Sequence, residues 1–258
     1  MLKDIIIAFQ SYYKAHKFIK QHRLWKWIII PGILYCILFI ISMWYFGKSA
    51  NAFFDWVQVT TGIKKWQESI NSGALNFFMA FAGVILWVII MLLYFSLFKY
   101  VWLIVGSPLF AYLSEKTESI LEGRDFPFSF KQLAKDIVRG ISISLRNAFW
   151  QTVFLVFVAL GSLIPVIGWP APILTLFIEC YYYGFSMLDY SMERHKKSMS
   201  ESIYYINNHK GLAIGNGIVF YLMHWLPIVG WILAPAYAVI AATLSVYDLP
   251  GFKRNSER

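Results

Sequence analysis

Residues 163–172 read LIPVIGWPAP, and residues 225–235 read WLPIVGWILAP. Both place Pro, two aliphatic residues, Gly and Trp in the same order, Pro165 to Trp169 and Pro227 to Trp231. Each interrupts a long apolar run: residues 148–188 carry a single charge, Glu179, and residues 211–247 carry none. Proline lacks an amide proton and clashes with the preceding helical turn. Glycine takes backbone conformations closed to other residues, so each motif ends one helix and lets the chain reverse. The four arms are 148–164, 171–188, 211–226 and 231–247. At helical rise they are about 24–27 Å long, shorter than the roughly 30 Å hydrocarbon core of a bilayer. Each pair therefore reads as a helical hairpin that partly or barely crosses. Bare backbone at a turn cannot face lipid, so the turns belong near the far interface or behind protein. Trp169, Trp225 and Trp231 suit an interfacial position. The repeat is compatible with duplication, although turn chemistry alone selects the same residues.

The rest of the chain agrees with a membrane setting. It is 59% hydrophobic and 14% charged, against roughly a quarter charged in a soluble domain. Residues 27–46, WIIIPGILYCILFIISMWYF, and residues 74–98, ALNFFMAFAGVILWVIIMLLYFSLF, are uncharged and long enough to span. Pro31 falls near the start of the first, where proline disturbs a helix least. The expected fold is an all-α integral membrane protein with two full transmembrane helices and two Pro/Gly-broken hairpins, forming one membrane domain over 1–258. The N-terminal stretch is broken by Lys3, Lys14, Lys17 and Lys20, which is not the pattern of a cleavable signal. Cys36 and Cys180 lie in apolar runs and read as inert small hydrophobes.

Charge sets the orientation. Lys and Arg number six in 1–26, three in 47–73, six in 113–147, four in 189–210 and three after 248. With the N-terminus inside, every segment but 47–73 falls on the cytoplasmic face, as the positive-inside rule requires. Both termini are then cytoplasmic. Residues 4–20 read as an amphipathic helix lying along that face, in contact with membrane lipids, with Ile5, Phe9, Tyr12 and Ile19 on one side.

Enzyme templates fail. The GKS at 47–49 would need glycine at 42 for a phosphate loop, and Ser42 stands there. No H-E-x-x-H or G-x-S-x-G occurs, and no Cys/His cluster predicts a metal or other cofactor. His195 and His209 flank one loop without metal-type companions, and His224 reads as a satisfied interfacial residue. Nucleic-acid binding would need basic and aromatic residues interleaved on a soluble surface, and the composition offers none.

Four stretches, in order, carry a resemblance: SPLFAYLSEKTESI at 107–120, LIPVIGW in the first hairpin, MLDYSMERH at 187–195, and GNGIVFYLMHWLPIVGWILAPAYAVIAATLSVY at 215–247. The chain resembles the CysZ-type sulfate permeases, which share a domain with the eukaryotic etoposide-induced membrane proteins. The resemblance covers roughly residues 5–248 and is most specific at Pro235 to Thr243 and at Asp189-Tyr190. It implies an oligomeric inner-membrane protein, a homo-oligomer here, that brings sulfate into the cytoplasm. In such permeases the anion sits at the start of the first hydrophobic helix, on a Gly-Leu-Arg-Arg type stretch. The matching positions are Arg23, Leu24, Trp25 and Lys26: Arg23 replaces the glycine, Trp25 and Lys26 replace the arginines, and two cations remain. The first turn of a helix offers unpaired N–H groups and a positive dipole end, which suit an oxyanion. Arg23 and Lys26 also fit as ordinary positive-inside anchors.

Further polar candidates are Glu115, Glu118, Glu179, Asp189 and Tyr190. Glu179 is expected to face protein, as a structural hydrogen-bond partner or as a carrier of a proton or cation. The others lie near helix ends and basic loops, where they would pair with Arg or Lys or form a gating network. The leading expectation is a permease for sulfate or a related oxyanion. The alternative is a non-transporting membrane protein acting in envelope assembly or organisation.

Overall fold

The computed structural model describes residues 1–61, 73, 98–123, 129–162, 170–195 and 197–249. The expected span 74–98, but for Phe98, and the first turn, Pro165 to Trp169, lie outside the described residues. Regular structure among the described residues is all helical. In chain order the helices are α1 (Leu2–Gln21), α2 (Trp25–Thr61), α3 (Ser107–Glu122), α4 (Phe130–Ser162), α5 (Ala171–Arg194), α6 (Met199–Asn208), α7 (Lys210–His224) and α8 (Val229–Tyr247). Residues 98–105 are also helical.

Helix boundaries depart from the charge boundaries in a consistent direction. α2 continues past Phe46 to Thr61, since 47–61 holds no proline and its single glycine, Gly47, is tolerated within a helix. Pro31 sits in its second turn, where the Trp27 carbonyl loses its helical donor. α4 starts at Phe130 and runs through Lys131, Lys135, Asp136, Arg139 and Arg146 before reaching the apolar arm. Charged residues limit what can sit in lipid; they do not stop a helix.

Among the described residues, three helices are long and apolar enough to cross a membrane: Trp25–Ser49, Phe130–Val158 and Val229–Tyr247. Their most apolar windows are 28%, 22% and 78% buried within the protein. The first two therefore turn most of their surface outward, whereas α8 is an inner helix, apolar on every side.

The chain divides into two compact units, Ile37–Lys99 and the remainder, Met1–Cys36 with Tyr100–Arg258. In the smaller unit, the Phe39 and Phe98 rings meet edge-on at 5.4 Å and Lys48 lies 3.8 Å over the Trp44 ring. In the larger unit, α1, α3, α5 and α7 pack around α8. α5 and α7 touch backbone to backbone. A Cβ on Gly184 would lie 1.9 Å from the Ala213 carbonyl oxygen, and one on Gly217 would lie 2.0 Å from that of Cys180. Such small-residue contact is the usual means of helix association where lipid removes the hydrophobic drive.

α1 packs on α7 and α8 through Ala8, Ser11, Tyr12, Ala15 and Ile19. Phe9 is not on that face and is 42% exposed. The stripe is rotated from the expected one because small residues let α1 approach closely, which a ring at position 9 would prevent.

The second reversal is fully described. Ile228 takes φ 64° and ψ −63°, and the Val229 N–H donates to the Pro227 carbonyl at 2.7 Å. That is a γ-turn with positive φ, a rare and strained form, here at a β-branched residue. Gly230 serves close approach rather than the turn: a Cβ there would lie 1.8 Å from the Met223 carbonyl oxygen. Trp231 closes the reversal by donating from Nε1 to the His224 carbonyl at 3.0 Å. The tip residues Trp225, Leu226, Ile228 and Val229 are all exposed.

Ile228→Gly should relieve this strain and raise stability by about 1 kcal/mol. Gly230→Ala should overpack the turn and lower stability by about 1–3 kcal/mol. Thermal unfolding in detergent, followed by tryptophan fluorescence, reads both; the reverse order would contradict this account of the turn.

Candidate functional site

The stretch from Arg23 to Lys26 runs from the link between α1 and α2 into the first turn of α2. The N–H of His22 donates to the Phe18 carbonyl at 3.0 Å, and that of Leu24 reaches back to the Ile19 carbonyl at 3.1 Å. This six-to-one bond, with Arg23 between at φ 54°, is a Schellman-type helix end. Leu24 and Ile19 are both buried, at the two positions where an apolar contact accompanies such an end. Arg23 thus keeps the left-handed backbone that glycine adopts freely, at about 1–2 kcal/mol for a residue with a Cβ. Leu24 points into the protein, Trp25 is half-buried, and Arg23 and Lys26 are exposed. Trp27 donates to the Leu24 carbonyl at 3.0 Å, which opens α2. The N–H groups of Trp25 and Lys26 precede any intrahelical acceptor, so they are available at the positive end of the helix. Arg23 and Lys26 form no ion pair among the described residues.

A second polar cluster centres on Arg139 of α4. Its Nη2 and Nε donate to Asp189 Oδ1 and Oδ2 of α5 at 2.8 and 3.1 Å, a two-pronged pair. Nη2 also donates to Ser202 Oγ of α6 at 2.6 Å, and Nη1 to the Lys197 carbonyl. Glu193 Oε2 stands 4.0 Å from Nε. Nearby, His195 Nε2 lies 3.2 Å from Glu118 Oε1 of α3, and Tyr190 donates its hydroxyl to the Leu103 carbonyl at 3.3 Å. Glu115 is half-buried one turn before Glu118. Burial lowers the His195 pKa below its ordinary value; Glu122 works against the shift and Lys197 adds to it. The unfolded chain therefore takes up this proton at a higher pH than the folded one. The His195 contribution is full above about pH 6.5 and is lost as pH falls below it.

Glu179 is not part of that cluster. It lies ten residues before Asp189 on α5, about 15 Å along the helix. It accepts from Gln151 Nε2 of α4 at 2.6 Å and from the Tyr221 hydroxyl of α7 at 2.9 Å. Tyr100 in turn donates to Gln151 Oε1. An ionised side chain at the centre of a span costs roughly 2.5–3.5 kcal/mol on insertion scales, which such donors offset. The candidate residues therefore fall in three places: the α1–α2 link, the Arg139 cluster and the Glu179 cluster. No group of three metal-ligating side chains occurs among the described residues.

The family model described as "Sulfate transporter CysZ/Etoposide-induced protein 2.4" matches residues 11–235. The chain belongs to this family. A "Sulfate transporter CysZ" of Pseudomonas aeruginosa is 26% identical over 232 residues, 88% of this chain and 89% of the relative. A Pseudomonas syringae protein of the same name is 27% identical over 176 residues, 66% of this chain and 69% of its own. One from Pseudomonas fluorescens is 29% identical over 143 residues, 55% of this chain and 57% of its own. The family is one of transporters, and the apolar helices make this member a membrane protein.

Sequence reasoning found the acids but missed Arg139, Ser202, Gln151, Tyr100 and Tyr221. Arg139 counted only as one more inside charge. Gln151 was the better clue, being an uncharged polar residue that is wholly buried in an apolar arm.

Asp189→Asn leaves Arg139 with a neutral partner in a buried setting and should cost about 3–5 kcal/mol. Lys14→Ala removes the exposed Lys14–Asp248 pair and should cost under about 1 kcal/mol. Thermal unfolding of the two variants measures the contrast, and equal losses would contradict it.

Proposed function

We propose that the protein is an inner-membrane permease for sulfate or a related oxyanion, with its anion site at Arg23, Leu24, Trp25 and Lys26. Family membership supports the activity, and the relatives bear the name of sulfate transporters. The observation that carries the site is the left-handed backbone at Arg23. It is the conformation that the glycine of the related stretch would take, so the turn survives the loss of that glycine. The turn leads directly into the first amides of α2, beside two exposed cations. An oxyanion would accept from the Trp25 and Lys26 N–H groups and from the Arg23 and Lys26 side chains. Its charge would offset the repulsion between those cations and the positive end of α2.

The same reading puts both termini in the cytoplasm and has 27–46 and 74–98 span fully, while 148–188 and 211–247 enter as hairpins. Its supports are the positive-inside count and the exposed apolar tip of the second reversal. A homo-oligomer and contact with membrane lipids belong to the reading through the family resemblance and the outward apolar faces of α2 and α4.

Uptake of labelled sulfate into proteoliposomes tests the proposal. The wild type should exceed protein-free vesicles. The Arg23→Ala/Lys26→Ala variant, folded, should lose about tenfold to a hundredfold in apparent affinity per charge-assisted contact removed. Wild-type uptake in the folded double variant would discard the site. Wild-type protein that matches empty vesicles for sulfate and for other oxyanions would overturn the permease and favour the non-transporting reading.

A further inference from the structure

α1 carries two apolar faces, and only one of them packs on α7 and α8. Leu2, Ile6, Phe9 and Tyr13 form the other, and they are between 42% and 73% exposed. Steps of four, three and four residues set them on one stripe of the helix, about 130° round from the packed face. A contiguous apolar stripe left open marks a surface that something else covers.

The place of α1 narrows what that is. Its N-terminal turn lies against Gly211, the second residue of α7, where a Cβ would stand 2.2 Å from the Met1 carbonyl oxygen. Lys14 pairs with Asp248, just past the end of α8. At its other end, only His22 to Leu24 separate α1 from α2, whose apolar span starts at Trp25. α1 therefore lies against the ends of apolar helices, at the edge of the membrane.

Its charge narrows the choice further. Residues 1–26 hold six Lys and Arg against a single acid, Asp4, which is half-buried. Lys3, Lys17 and Lys20 are exposed and form no ion pair among the described residues. Lys20 prolongs the stripe two turns beyond Tyr13, and Lys17 flanks it with its ammonium 4.5 Å over the Tyr13 ring. Such lysines lay their stems along apolar surface and keep their charge at headgroup level. Four apolar side chains fall far short of the roughly 20–30 residues a side in a standard protein interface, so they would not hold a second copy.

We propose that this stripe, with Lys3, Lys17 and Lys20, is a docking surface for anionic phospholipid. Leu2, Ile6, Phe9 and Tyr13 enter the boundary between headgroups and acyl chains, and the lysines meet the headgroup phosphates. Each basic residue held near an anionic leaflet strengthens binding about fivefold. A zwitterionic leaflet offers the same apolar contact without that gain. The proposal refines the lipid contact in the permease reading by giving it a face and a headgroup class. It stands whether or not the protein moves an anion, since Arg23 and Lys26 take no part in it.

Lipid-borne quenching in liposomes of the full-length protein tests it. A small fluorophore is attached at Phe9→Cys, or at Ile6→Cys if that variant does not fold; Cys36 and Cys180 are buried, which leaves the new thiol accessible. The quencher rides on an acyl chain of phosphatidylglycerol or of phosphatidylcholine, at low ionic strength. Half-quenching should need about tenfold less of the phosphatidylglycerol, and Lys3→Ala/Lys17→Ala/Lys20→Ala should bring the two lipids within about twofold. A label at Gln10→Cys, about 100° further round the helix, should be quenched less by either lipid. Equal half-quenching by the two lipids, which needs no lysine variant to observe, would overturn the anionic preference. A label at position 9 quenched no more than one at position 10 would overturn the docking. Quenching that fades as the protein-to-lipid ratio rises would assign the stripe to a second copy and overturn it as well.

Discussion

Where hydrocarbon replaces water, a buried polar group keeps its hydrogen bonds only if the protein supplies them. The larger unit is organised by that requirement. Asn216 donates to the Ala238 carbonyl at 2.9 Å, and the Asn216 carbonyl accepts from Tyr12, which binds α1, α7 and α8 together. Asn147 of α4 donates to Ser186 of α5 at 3.0 Å, and Ser114 of α3 meets Thr243 of α8 at 3.1 Å. The most demanding group, Arg139, draws acceptors from α5, α6 and the turn between them. Apolar contact fills the space between these helices, while the polar pairs fix which faces meet.

The two turns with positive φ obey a related constraint. Arg23 and Ile228 are the non-glycine residues with positive φ among the described residues, and each stands between consecutive helices. Strain of this kind persists only where the surroundings over-determine it. At Arg23 the burial of Leu24 and Ile19 and the backbone bond between them hold the turn. At Ile228 the bond from Trp231 to His224 and the glycine contact at Met223 do so. Both turns leave exposed groups, cations at the first and an apolar tip at the second.

Much of the helical content was legible because apolar runs without charge have few other ways to exist in a membrane. The arms 211–226 and 231–247 match α7 and α8 closely, since the motif between them does stop the helix. The start of α4 was not legible, because its first half is charged and was read as loop although it holds no proline and only one glycine, Gly140. The roles within the reversal were also misread. Gly230 looked like the turning residue, but its small size is needed against Met223, and the turn falls on Ile228. At the candidate sites the acids were visible, but their partners lie on other helices and carry no local signal. The backbone at Arg23 could not be read from a residue type that rarely adopts it.

The account rests on an oxyanion held where α1 gives way to α2. The most direct check is calorimetric titration of the purified, folded protein with sulfate, at low ionic strength and against chloride as control. Saturable heat for sulfate, weakening as salt rises, is the predicted result, since the proposed site consists of exposed cations and amides. Heat for sulfate that never saturates, or that chloride reproduces at the same concentrations, would contradict the account.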